Sequence, residues 1–104
     1  MSEKIRVMVK PPEEVPYMTY IENDLAAFQK AVGGYIETFR LTDEITVVCD
    51  EEGRLKGKDY CFSWGRVSFC GTCLFVGVSG DRFADLPYKT KEDFYRAMLA
   101  GVWA

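Results

Sequence analysis

Residues 31–39 read AVGGYIETF, two glycines set between a run with helical periodicity and a run with strand alternation. Upstream, Leu25, Phe28 and Val32 recur at helical spacing while Gln29 and Lys30 can face water, so an amphipathic helix is expected over 25–32. Asn23 or Asp24 precedes it as a side chain able to accept from the unpaired N–H groups of a first turn. Downstream, Tyr35, Glu37, Phe39 and Leu41 alternate with Ile36, Thr38 and Arg40, the pattern of a strand. A helix commonly ends on a residue of positive φ, which glycine adopts without a Cβ clash, so Gly33 is expected to cap the helix and Gly34 to let the chain reverse. A phosphate cradle would need the opposite order: strand, glycines, then a helix N-terminus facing the anion.

The same reasoning extends outward. In KIRVMVK (4–10), Ile5, Val7 and Val9 share one face and Pro11-Pro12 ends the strand. Tyr17 to Ile21 can add a short extended piece. ITVVC (45–49) is β-branched and apolar, and DEEG (50–53) supplies turn residues for a hairpin in which Leu55 begins the return strand. RVSFCGTCLFVGVSG (66–80) is the longest β-like run. Val67, Phe69, Cys73 and Phe75 fall on one side and Cys70, Leu74, Val76 and Val78 on the other, which predicts a central strand covered on both faces. GDRFADLP (80–87) reads as a surface loop. TKED (90–93) resembles a capping box opening a last helix over 91–101, with Phe94, Ala97, Met98 and Gly101 as its apolar stripe, joined by Val102, and Trp103 docking after it.

At 104 residues the chain fits one α+β domain over 1–104. We expect a mostly antiparallel sheet of about four or five strands, with two helices packed on the same face of it. Apolar residues at 48% of the composition are enough for a real core.

Thirteen basic and sixteen acidic side chains leave a net charge of -3, which disfavours general DNA binding and equally a mimic of the DNA surface. MSEKIRVMVK contains no apolar block suited to a signal peptide or membrane span, so a cytoplasmic protein away from membranes is expected, with its four cysteines as packed thiols. Cys70 and Cys73 form a CxxC, but residues three apart in a strand face opposite sides, and sharing a ligand would need a bulge at Gly71. Cys49 and Cys61 do not supply a second such pair, so no metal site and no cofactor are assigned.

The chain has no histidine, which removes Ser-His-Asp and Cys-His hydrolysis. Asp50, Glu51 and Glu52 form the densest acidic cluster. In a hairpin turn they should be solvated and unshifted, so no catalytic residue is assigned. Arg54, Lys56, Lys58 and Arg66 interleave with Tyr60, Phe62 and Trp64, a composition that suits either base stacking or a strand whose aromatics belong to the core.

LAAFQKAVGGYIETF, DEEGRLKG and GTCLFVG, in that order, resemble the family called domain of unknown function 3846, over roughly residues 20–86. The resemblance implies a small accessory protein of phages, plasmids and other mobile elements of Gram-positive bacteria, and it implies no activity. Family members typically carry a proline and an asparagine after the acidic turn, where this chain reads KGKDYCFSWG with neither.

The expectation is therefore a non-enzymatic binding module for a protein partner or a nucleotide-like ligand. The candidate residues are Tyr35, Glu37, Lys56, Lys58, Tyr60, Trp64 and Arg66. The alternatives are a small metal-binding or carboxylate-based enzyme, or a structural subunit that forms homo-oligomers.

Overall fold

The structure is a computed structural model that describes residues 3–99, with side chains to residue 97. Its elements in chain order are β1 (Lys4–Lys10), β2 (Tyr17–Glu22), α1 (Leu25–Val32), β3 (Ile36–Arg40), β4 (Ile45–Asp50), β5 (Tyr60–Trp64), β6 (Val67–Cys70), β7 (Cys73–Ser79), β8 (Arg82–Ala84) and α2 (Lys91–Leu99). The main sheet runs β2-β1-β7-β4-β3, with β8 also paired to β7. All of its pairings are antiparallel. β5 and β6 form a separate hairpin joined by residues 65–66. The α+β class and the antiparallel sheet are as the sequence predicts, and the described residues contain more strands than expected.

Period-two alternation sorts the core into two halves. Ile5, Val7, Val9, Val48, Leu74 and Val76 point to one face, where Phe28 and Val32 of α1 cover them. Met8, Ile45, Val47, Cys49, Cys73 and Phe75 point to the other. There Phe62 and Phe69 of the hairpin, Leu86 and Phe94 of α2 close the interior. The two helices therefore lie on opposite faces, not on a shared one. Strand β7 has apolar groups on both sides, and each side needs its own cover.

The run that reads as one long strand is divided between two sheets. Gly71 has φ +84, a conformation that L side chains rarely adopt, and its N–H donates to Asp59 O at 2.7 Å. The chain turns there, ending β6 in the hairpin layer and starting β7 in the main sheet. Other departures are local. Leu25 is 56% exposed, because it sits at the first turn of α1 ahead of the covered face. Within the loop read from 80–87, Arg82–Ala84 pair with β7 and Leu86 is fully buried. Ala97 is exposed, although Phe94 from the same expected stripe is buried. The side chain of Met98, and Gly101, Val102 and Trp103, lie outside the described residues.

Both helix starts follow the sequence. Asp24 Oδ1 accepts from Ala27 N at 2.8 Å, and Thr90 Oγ1 accepts from Asp93 N at 3.0 Å.

Phe75 is wholly buried, its ring centroid 5.2 Å from that of Phe62 and 5.1 Å from that of Phe94, so it ties the hairpin and α2 to the sheet. Phe75→Ala should cost about 3–5 kcal/mol, read as a lower urea midpoint with the slope of the transition unchanged.

Candidate functional site

Residues 51–58 do not return as a strand. Gly53 N donates to Asp50 O, Lys56 N to Glu52 O and Lys58 N to Gly53 O, a compact loop that leaves Leu55 87% exposed. Its helical-type bonds compete with hairpin pairing, so β4 has β3 and β7 as its neighbours and no partner from this loop. The loop swings Lys56 and Lys58 back over the end of β4. Their Nζ atoms lie 2.9 and 2.7 Å from Asp50 Oδ2, and Glu52 N donates to Asp50 Oδ1 at 2.9 Å.

The Asp50 side chain is fully buried. Burial pushes its pKa upward, but the hydrogen bonds from Lys58, Lys56 and the Glu52 N–H outweigh that and hold it well below the usual carboxylate range. The Asp50 hydrogen bond, in turn, raises the Lys56 ammonium pKa. The expectation of three solvated, unshifted acids thus fails at Asp50. The direction of the shift is opposite to that of a general acid, which must hold its proton near neutral pH.

The diglycine is part of this cluster. Gly33 adopts the left-handed conformation with φ +79 and ψ 32, and the N–H groups of Gly33 and Gly34 both donate to Gln29 O. With both amides satisfied inside the helix cap, the cap reading holds over an anion cradle. The exposed carbonyls of the cap receive the lysines: Lys58 Nζ donates to Val32 O at 2.8 Å, and Lys56 Nζ reaches Gly33 O at 3.4 Å. A Cβ at Gly34 would stand 2.6 Å from Lys56 Nζ and 2.7 Å from Asp50 Cγ, so this position admits no side chain without displacing the charge cluster.

A groove of about 280 Å³ opens on the other side of the loop. Phe39, Cys49 and Phe69 lie along it, with Leu55 and Val67 among the more exposed of its lining residues. Phe39 and Phe69 meet edge to face at 5.7 Å. The groove borders β3, which ends the strand order and has no partner beyond it among the described residues. Leu41 N donates to Ile45 O, and Glu51 N donates to Tyr35 O. Residues of odd number therefore face β4, and Ile36, Thr38 and Arg40 direct their backbone N–H and C=O groups outward.

A family model described as "Domain of unknown function (DUF3846)" matches residues 5–99. The chain belongs to the DUF3846 family. No curated protein and no solved structure matches it. The three stretches that carried the DUF3846 resemblance in the sequence converge on the loop. The helix ending in Gly33-Gly34 and the segment 50–57 meet at Asp50. Gly71 lies against the stem of Lys58, where a Cβ would be 2.8 Å from Lys58 Cδ. The family match also takes in β1 from Ile5 onward and the whole of α2, beyond the 20–86 span of the resemblance.

The candidate residues do not form one surface patch in this DUF3846 chain. Lys56 and Lys58 are engaged by Asp50 and the helix cap. Tyr35 is exposed and lines a hollow with Gln29, Gly34, Glu52 and Lys56, while Glu37 borders the groove. Tyr60 is exposed, its hydroxyl 2.7 Å from Ser63 Oγ. Trp64 is half-buried against the core, and Arg66 is exposed in the hairpin turn. Phe62 is buried, so the core reading of the aromatic segment holds for it and in part for Trp64. Sequence reasoning missed Asp50; the signal was an aspartate ending an apolar strand with two lysines six and eight residues on.

The four cysteines are free, and three of them are buried. Burial, with Glu37 and Asp50 nearby, pushes the Cys49 thiol up to about 11. A hydrogen bond with Cys61, and burial, raise the Cys73 thiol as well. Such thiols are poor nucleophiles. Among the described residues no group of three His, Cys, Asp or Glu side chains is placed to hold a metal ion, and no helix is long and apolar enough to cross a membrane.

Asp50→Asn removes the countercharge of two ammoniums and should cost about 2 kcal/mol, less than breaking a fully buried pair because both lysines are partly hydrated. Because the folded-state pKa is depressed, the contribution of Asp50 is fully present above the unfolded pKa of about 3.9 and is lost as pH falls below it. Urea melts across that range should show the stability gap between wild type and Asp50→Asn closing as the solution is acidified.

Proposed function

We propose that this chain is a non-enzymatic binding module of a bacterial mobile element or phage, acting in the cytoplasm, which takes an extended segment of a protein partner along the outer edge of β3. The observation that carries the reading is the pairing of an open strand edge with a groove. Ile36, Thr38 and Arg40 offer outward main-chain groups, and Phe39 and Phe69 line the adjacent hollow. Main-chain bonding supplies affinity in such a mode, and a side-chain pocket supplies selectivity. Glu37, Glu51 and Arg54 border the groove, leaving it net acidic once Asp50 is neutralised by its lysines. The preferred segment accordingly carries an apolar anchor beside a basic residue.

A nucleotide-like ligand on Lys56 and Lys58 is the weaker reading, since both ammoniums are already bound to Asp50 and to helix carbonyls. The mobile-element and bacterial setting is supported by the family resemblance, and the cytoplasm by the four free thiols.

Thr38→Pro is the decisive variant. It removes an outward donor while sparing the β4 ladder, so the fold should persist. Peptides selected against the wild-type protein from a displayed library should bind Thr38→Pro and Leu55→Asp at least about tenfold more weakly, a loss of about 1.4 kcal/mol. On binding, they should slow hydrogen exchange at residues 36, 38 and 40. Selected peptides that ignore both variants would overturn the reading. Self-association by light scattering that Thr38→Pro abolishes would instead identify a second copy as the occupant.

A further inference from the structure

Helix α1 has eight residues, about 12 Å of helix, and covers only part of its sheet face. Beyond the covered valines the face changes character: Thr38, Arg40, Thr46 and Val78 line a hollow of about 170 Å³, together with Arg82 and Asp81 from the β7–β8 turn and its edge. We infer that this hollow is a binding site for a small tetrahedral oxyanion of the phosphate type, held by Arg40, Arg82 and the Thr46 hydroxyl.

Thr46 is the decisive residue. It is 5% exposed, and its hydroxyl has no hydrogen-bond partner among the described residues. Buried polar groups are nearly always paired, so a lone hydroxyl lining a hollow marks the place of a missing partner. Neighbours on the same face, Val48 and Val76, show what the position carries where only packing is required.

Arg40 makes no ion pair among the described residues. Arg82 has only Glu3, at 3.8 Å, with both side chains more than half exposed, a contact of little strength. Two guanidiniums and a hydroxyl thus approach one small volume from β3, β8 and β4. That spread of donors suits four oxygens in a tetrahedron better than a planar carboxylate. Asp81 leaves the hollow with one net positive charge, which sets it apart from the lysine pair spent on Asp50. The hollow differs in chemistry from the peptide groove and opens on the other face of β3, whose Thr38 and Arg40 it shares with the docking edge.

The test is a titration of the isotopically labelled protein with inorganic phosphate, and separately with acetate, followed by amide shifts. Phosphate should produce saturable shifts centred on Thr46, Val78 and Gly80, and acetate should not. Thr46→Val should weaken phosphate about tenfold, the worth of one hydrogen bond to a charged group. It should melt no lower than wild type, because it removes an unpaired hydroxyl. Arg82→Gln, on an exposed side chain, should weaken binding while leaving the fold intact, and Arg40→Gln with Arg82→Gln should abolish it. Absence of saturable shifts, equal response to acetate, or phosphate binding unchanged in Arg82→Gln would each overturn the assignment.

Discussion

An aspartate without access to water has to be neutralised by what surrounds it, and at Asp50 that demand organises the meeting point of β4, the 51–58 loop and the end of α1. The carboxylate draws back two lysines from the loop that follows it. Those lysines, being cations, also satisfy the free carbonyls at the end of α1, where the helix dipole favours positive charge. One ion cluster thereby ties the end of β4, the 51–58 loop and the helix cap together. The glycines at 34 and 71 leave the space through which the lysine chains pass. This is a polar joint set against a largely apolar core, and it anchors the C-terminal end of α1 over the sheet.

The sheet is covered unevenly. Phe62, Phe69, Leu86 and Phe94 close one side, whereas the other has a short helix and ends in threonine and arginine. Among the described residues β3 is likewise open at the margin. Both candidate binding surfaces lie where the described elements leave the sheet uncovered.

Local signals in the sequence were readable where one element explains itself. Asp24, the 25–32 helix and the left-handed Gly33 follow from capping and periodicity alone. So do β1 and the two-sided character of Leu74, Phe75 and Val76. Signals that depend on a distant partner were not readable. The acidic turn has the composition of a hairpin, yet the loop's own bonds and the pull of Asp50 on Lys56 and Lys58 override strand return. Alternation continues unbroken through Gly71, so nothing in the pattern betrays the change of sheet. The opposite placement of the helices is fixed by which apolar face each must cover, and Phe28 and Phe94 look alike in sequence. The lone hydroxyl of Thr46 is likewise a property of the assembled face.

The position of β7 bears on how the protein is made. This strand joins β1 to β4, with Met8 paired to Phe75 and Val47 paired to the same residue. A ribosome delivers residues 4–22 long before residues 73–79, so the first ribbon leaves the exit tunnel with its inner neighbour still unsynthesised. Productive assembly of the sheet then waits until β7 has been made, a delay during which chaperones have a strand pair with an apolar face to hold.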